Sequence, residues 1–123
     1  MHNYNKEIGQ YGENLASSYL LNIGYKLLNR NYKCKLGEID IICLDKKYVV
    51  FIEVKTRYNI NYGRPSESVN TKKQFKIFKA AQYYIQEKKL FNSYFRFDVV
   101  EVFLNSGIEE PMINLFKDAF QIY

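Results

Sequence analysis

At 123 residues with 47% hydrophobic side chains, the chain is long enough for one domain with a real core, residues 1–123. Its longest apolar run, Tyr48 to Ile52, falls far below the roughly 20 residues that a membrane helix needs, so no membrane partner is expected. A net charge of +5 leans toward polyanions such as nucleic acid, and a single histidine, His2, at a terminus leaves Ser-His-Asp and Cys-His chemistries without their usual base.

The opening Met1-His2-Asn3-Tyr4-Asn5-Lys6-Glu7 lacks the apolar core of a signal peptide, and Cys34 and Cys43 form no CxxC pair; both features lead to an expectation of a cytoplasmic protein with free thiols. Residues 4 to 23 read as a helix from the spacing of Ile8, Gly12, Leu15, Ala16, Tyr19, Leu20 and Ile23, with Gly24 as its stop and Glu13 on the flank of the stripe. Residues 25 to 32 read as a strand. From Gly37, Ile39, Ile41 and Cys43 alternate with Glu38, Asp40, Ile42 and Leu44, which predicts a strand with the first three on one face. Tyr48 to Arg57 follows as a strand with Val49, Phe51, Glu53 and Lys55 on one face, so two charged side chains interrupt an apolar surface.

Arg57 to Val69 holds Asn59, Asn61, Gly63 and Pro65 and reads as a long loop presenting Tyr58, Tyr62 and Arg64. Asn70 or Thr71 caps a second helix running to about Lys88, apolar through Ile77, Phe78, Ala81, Tyr84 and Ile85 and basic through Lys72, Lys76 and Lys79. Strands at about Phe95 to Leu104 and Met112 to Phe116 complete the order α-β-β-β-α-β-β. This is an α/β pattern with a mixed central sheet flanked by helices.

The only turn candidates between the two middle strands are Asp45-Lys46-Lys47-Tyr48, which predicts an antiparallel hairpin in one register. Followed along the strands, that register sets Asp40 opposite Glu53 and Glu38 opposite Lys55. Directly opposed residues have Cβ atoms roughly 4.5 to 5.5 Å apart, and two carboxylates that close repel unless something positive lies between them. Lys55, a metal ion or both can supply that charge. Oxygen ligands without His or Cys suit a hard ion such as Mg²⁺ or Mn²⁺, and Lys55 on the same face as Glu53 could orient or deprotonate a water that attacks a phosphate.

Asp40 followed on the next strand by Glu53-Val54-Lys55 resembles the active site of the PD-(D/E)xK nuclease superfamily, with its restriction-endonuclease-like αβββαβ core. Gly12-Glu13, Arg30-Asn31, Gly37-Glu38-Ile39-Asp40, Glu53-Val54-Lys55-Thr56-Arg57, Gly63-x-Pro65, Arg96-Phe97-Asp98-Val99-Val100 and Ala119-Phe120 together resemble the YraN family of uncharacterised bacterial proteins. The resemblance implies that Asp40, Glu53 and the Val54 carbonyl bind metal, that Lys55 is catalytic, and that Glu13 is an auxiliary acid. It further implies a Mg²⁺- or Mn²⁺-dependent endonuclease acting on DNA, with branched or structured DNA suggested by the Holliday-junction resolvase branch. That branch also suggests a homodimer, although small nucleases work as monomers too. Family members often carry a histidine near the last strand, where this chain has Ile113-Asn114-Leu115-Phe116.

Plainer readings stand beside these. Glu38 and Lys55 suit a cross-strand ion pair, Glu13 a solvated helix flank, and the lysines of the second helix an ordinary soluble surface. As nucleic-acid contacts, Arg57, Arg64, Lys72, Lys76 and Lys79 would meet phosphates, and Tyr58 and Tyr62 would stack on bases. The alternative functions are a catalytically silent nucleic-acid-binding module and an interaction domain in which the carboxylates merely salt-bridge.

Overall fold

The computed structural model describes residues 2–57, 69–104 and 110–121, with side chains from Lys6 onward. Its elements are α1 (His2–Asn22), β1 (Lys26–Cys34), β2 (Gly37–Asp45), β3 (Tyr48–Arg57), α2 (Thr71–Lys88), β4 (Tyr94–Phe103) and β5 (Met112–Phe116), in the expected order. The five strands form one sheet in the order β1-β2-β3-β4-β5. It is mixed: β3 and β4 run parallel, and the other neighbours are antiparallel. The result is an α/β fold consistent with the restriction-endonuclease-like αβββαβ core. Among the described residues no helix is long and apolar enough to cross a membrane.

A parallel pair needs a crossover, and α2 provides it between β3 and β4. The central strand β3 is therefore covered on both faces, which is why Val49, Val50, Phe51 and Ile52 are buried in succession rather than alternately. On one face Ile77, Ala80, Ala81 and Tyr84 of α2 pack on Ile42, Val49, Phe51 and Val99. On the other, Ala16 and Leu20 of α1 pack on Ile41, Cys43, Val50, Ile52, Val100 and Val102.

Two glycines of the sequence motifs set how closely the helices approach. A Cβ on Gly12 would lie 1.9 Å from Thr56 Oγ1, so α1 crosses β3 at a distance open only to glycine. A Cβ on Gly37 would lie 2.9 Å from the Lys76 carbonyl oxygen, which holds α2 equally close to the start of β2. Asn70 caps α2 by accepting from the Lys73 N–H at 2.9 Å, fixing Lys73 in the first turn.

The Arg96-Phe97-Asp98 motif serves the fold. Asp98 is fully buried, yet its carboxylate accepts from Arg96 Nε and Nη2 and from the Asp118 N–H, each at 2.9 Å, and from the Tyr25 hydroxyl at 3.2 Å. Every lone pair has a donor, so a buried charge ties β4 to the approach to β1 and to the turn after β5 without an unpaired group.

Candidate active site

The β2–β3 hairpin holds the predicted register from Asp45↔Tyr48 to Ile41↔Ile52, and the next step in it brings Asp40 to Glu53. There the ladder gives way to a side-chain bond: Asp40 Oδ2 accepts from the Val54 N–H at 2.8 Å. The alternation along β2 also breaks at this point. Ile39 was expected beside Ile41 and Cys43, but it packs in the α2-side core while they pack on the α1 side. On the neighbouring strand, the pairs Arg30↔Ile41 and Tyr32↔Ile39 bracket Asn31, whose φ of 54° is left-handed. Asparagine tolerates that region better than most residues, and this left-handed residue lies on β1 beside Asp40, between the pairs Arg30↔Ile41 and Tyr32↔Ile39.

A cleft of about 410 Å³ opens here between the N-terminal halves of α1 and α2, and Glu13, Glu38, Asp40, Glu53, Val54 and Lys73 are among the residues lining it. The Asp40 and Glu53 carboxyls lie close enough to share a proton. Burial first, then the hydrogen bond and charge of Glu53, push Asp40 up to about 8, against the downward pull of the Val54 N–H. The Glu53 side chain is only 5% exposed, and two ammonium groups flank its Oε2, Lys73 at 2.5 Å and Lys55 at 3.8 Å. Neither contact has hydrogen-bond geometry, so this buried oxygen is held by charge alone. Burial and the Lys73 ammonium lower Lys55; burial also works against charge on Lys73, but the Glu53 carboxylate beside it prevails and leaves it raised.

Asp40, Glu53, Lys55, Val54 and Glu13 thus come together around one notch in the sheet. Glu13 is paired with Arg30 at 3.6 Å, and burial raises its carboxyl above the usual range despite that guanidinium. The expected Glu38–Lys55 pair does not form. Glu38 pairs at 4.0 Å with Lys33, its partner on β1, and Lys55 turns to Glu53, because β2 and β3 have parted before reaching them. Lys72 and Lys76 are exposed on α2, whereas Lys79 is half-buried with its ammonium 4.6 Å from the Phe75 ring centre. Arg57 is tethered at 3.4 Å to Glu101, which is fully buried on β4. Tyr58, Tyr62 and Arg64 lie outside the described residues.

Sequence reasoning missed Lys73. Its signal was present: Lys73 prolongs the Ile77, Ala81, Tyr84 stripe by one turn, so its spacing aimed a lysine at the sheet rather than at solvent.

Among the described residues no three His, Cys, Asp or Glu side chains gather into a closed metal site. Two facing carboxylates, one with a buried oxygen lacking any hydrogen bond, instead suit an open site for a hard ion that keeps waters and substrate oxygens in its remaining positions.

The uncharacterised protein family UPF0102 matches residues 12–102, which contain all of these site residues. The chain belongs to the UPF0102 family. A UPF0102 protein of Clostridium botulinum strain 657 is 57% identical over 123 residues, covering 99% of this chain and 100% of the relative. A UPF0102 protein of Clostridium kluyveri is 56% identical over 122 residues with the same coverage. The match runs from Gly12, where α1 meets β3, to Val102 in β4, so it takes in every charged residue that lines the cleft.

Proposed function

We propose that this UPF0102 chain is a Mg²⁺- or Mn²⁺-dependent endonuclease that hydrolyses phosphodiester bonds in DNA, with branched or otherwise structured DNA as its substrate. The observation that carries this reading is the facing of two carboxyl groups, Asp40 and Glu53, in one cleft, with the ammonium of Lys55 3.8 Å from Glu53 on the same strand. A fold selected only for stability has no reason to face two carboxylates here.

Asp40 and Glu53, with the Val54 carbonyl, would hold the divalent ion, which when bound supplies charge neutralisation and Lewis-acid polarisation at the phosphate. Lys55 orients the attacking water and, after its ammonium has released its own proton to solvent, accepts the proton of that water; the proton affinity lowered by burial and by Lys73 eases that release. The water oxygen bonds to phosphorus, the bond to the leaving oxygen breaks, and that oxygen takes a proton from solvent. Glu13, fixed by Arg30, serves as the auxiliary acid on the cleft wall. Lys72, Lys76, Lys79 and Arg57 follow the phosphates outside the cleft, and Arg64 for phosphates and Tyr58 and Tyr62 for bases are proposed as further contacts from sequence alone. Two copies related by a two-fold axis would present two clefts to a branched substrate.

The second reading, a silent nucleic-acid-binding module, draws on the Lys73–Glu53 pair, which neutralises the site without any metal. Duplex, single-stranded, flap and four-way junction DNA, with matched RNAs, should be incubated with Mg²⁺ and Mn²⁺. Cleavage of at least one DNA that is abolished by EDTA and by Asp40→Asn supports the nuclease. Binding with no cleavage under any condition transfers the assignment to the module.

A further inference from the structure

We infer that Lys73 is a built-in counter-cation which occupies the metal-binding oxygen of Glu53 in the free protein, is displaced when a divalent ion enters, and then serves as a phosphate contact at the cleft. This deepens the nuclease reading and rests on Asp40 and Glu53 being a divalent-ion site.

The geometry is specific. Lys73 Nζ lies 2.5 Å from Glu53 Oε2, closer than Lys55 at 3.8 Å, and that oxygen is buried without a hydrogen bond. A buried carboxylate with no hydrogen bond and no counter-charge would be costly to the free protein, so an ammonium there stabilises the apo fold. The same ammonium obstructs a divalent ion, because two cations cannot share one carboxylate oxygen at bonding distance without strong repulsion. One must leave, and only one is tethered to the chain.

Lys73 is built to be the one that moves. Its backbone is fixed at the third position of α2 by the Asn70 cap, while its side chain is a flexible four-carbon stem that remains 46% exposed. It lines the cleft with Asp40 and Glu53, and it also lines the adjoining cleft with Lys76, Gly37 and Glu38. An ammonium swung off Glu53 therefore stays at the mouth where the two clefts meet, on the side of the exposed lysines of α2. A phosphate drawn to the divalent ion would meet it there. Lys72, one residue earlier and exposed, makes no contact with Glu53 among the ion pairs of the described residues and is the natural control.

The competition can be read without any turnover. Mn²⁺ binding to the wild type, Lys73→Met and Lys72→Met should be measured by calorimetry, with apo melting temperatures alongside. Lys73→Met is expected to bind Mn²⁺ about tenfold more tightly while its apo melting temperature falls, and Lys72→Met, a DNA-contact variant away from Glu53, to match the wild type in Mn²⁺ affinity and melting temperature only. Lys73→Met should also bind DNA more weakly in Ca²⁺. Should Lys73→Met unfold, the side-chain ammonium resonances of the wild type report instead: titration with Mg²⁺ should move Lys73 from a protected, slowly exchanging signal to a solvent-averaged one. Equal or weaker Mn²⁺ binding by Lys73→Met, or a Lys73 resonance that ignores saturating Mg²⁺, overturns the inference and leaves the metal site standing. If neither wild type nor Lys73→Met binds Mn²⁺, the metal-site reading falls and this inference falls with it. Binding by Lys73→Met alone would support displacement in its strongest form.

Discussion

The Asp40 carboxylate accepts a hydrogen bond from the Val54 N–H at 2.8 Å, so a side chain of β2 takes the place of the backbone ladder where β2 and β3 part. That bond positions Asp40 across from Glu53 and is the main influence favouring its ionised form; burial and Glu53 both oppose ionisation. Asparagine retains an oxygen for the Val54 N–H and carries no charge. Asp40→Asn should therefore raise apo stability at pH 8 by about 1–3 kcal/mol and at the same time abolish Mn²⁺ binding and cleavage. Thermal melts in EDTA and calorimetric titration check both halves. A destabilised variant would mark Asp40 as an ordinary structural acceptor.

The same carboxyl sets a pH dependence. Its proton affinity is raised in the folded state, from 3.8 to about 8, so the folded protein holds the proton more tightly than the unfolded chain does. Its contribution to stability is complete below 3.8 and is lost progressively as pH rises through about 8. Lys55, whose affinity is lowered, acts in the opposite direction at higher pH, so the informative quantity is wild type minus Asp40→Asn. In metal-free melts from pH 5 to 9, the gain in melting temperature on substitution should grow with pH. A difference that stays flat across that range would show that Asp40 ionises normally.

Gly12 and Thr56 offer a test of how the cleft is built. A Cβ at position 12 would meet Thr56 Oγ1 at 1.9 Å and Thr56 Cβ at 2.9 Å, so Gly12→Ala must push α1 away from β3. Overpacking of this kind costs about 1–3 kcal/mol, and it should also slow cleavage by carrying Glu13 outward with its helix. Thr56→Ala removes the nearer atom and should recover part of the loss, which a double-mutant cycle by thermal denaturation would measure as a favourable coupling. Strict additivity would mean that the two elements separate for some other reason.

Much of this arrangement was legible because it rests on local signals. Asp45-Lys46-Lys47-Tyr48 left one hairpin register open, and Asn70 and Lys88 bounded α2 as read. The position of Ile39 was not legible, since alternation assumes an even pleat, whereas Ile39 packs on the face opposite Ile41 and Cys43 where β2 parts from β3. Lys73 was lost among the lysines beside it, because a count of charge does not say which member of the run continues the buried stripe. Glu101 went unremarked inside an apolar strand, and its role as the anchor of Arg57 depends on β3 and β4 being parallel neighbours, a long-range pairing that no local pattern encodes.

The basic face of α2 should contribute phosphate contacts without reading sequence. Changing Lys72, Lys76 and Lys79 together to Glu should weaken DNA binding at low salt and reduce the slope of log affinity against log salt by about 2–3, as expected from counterion release. Lys79, held over Phe75, should contribute least of the three. Fluorescence anisotropy with a labelled junction across a salt series gives the slope directly. An unchanged slope would show that this face is solvated surface only.

Lys55 separates an enzyme from a binding module. Its ammonium lies 3.8 Å from Glu53 on the same strand, while the exposed cations that would hold DNA lie on α2. Lys55→Ala should therefore reduce single-turnover cleavage at least about 100-fold, the scale of a lost proton-transfer group, with DNA affinity in Ca²⁺ changed little. Mn²⁺ affinity should hold or rise, because one cation beside Glu53 is removed while both carboxylates remain. This pattern distinguishes Lys55 from Asp40, whose loss should remove metal and turnover together, and from Lys73, whose loss should strengthen metal binding and weaken DNA binding. If Lys55→Ala cleaves at the wild-type rate, the water must be activated by another group in the cleft. Glu13, the remaining titratable side chain on the α1 wall, would then be the first to substitute.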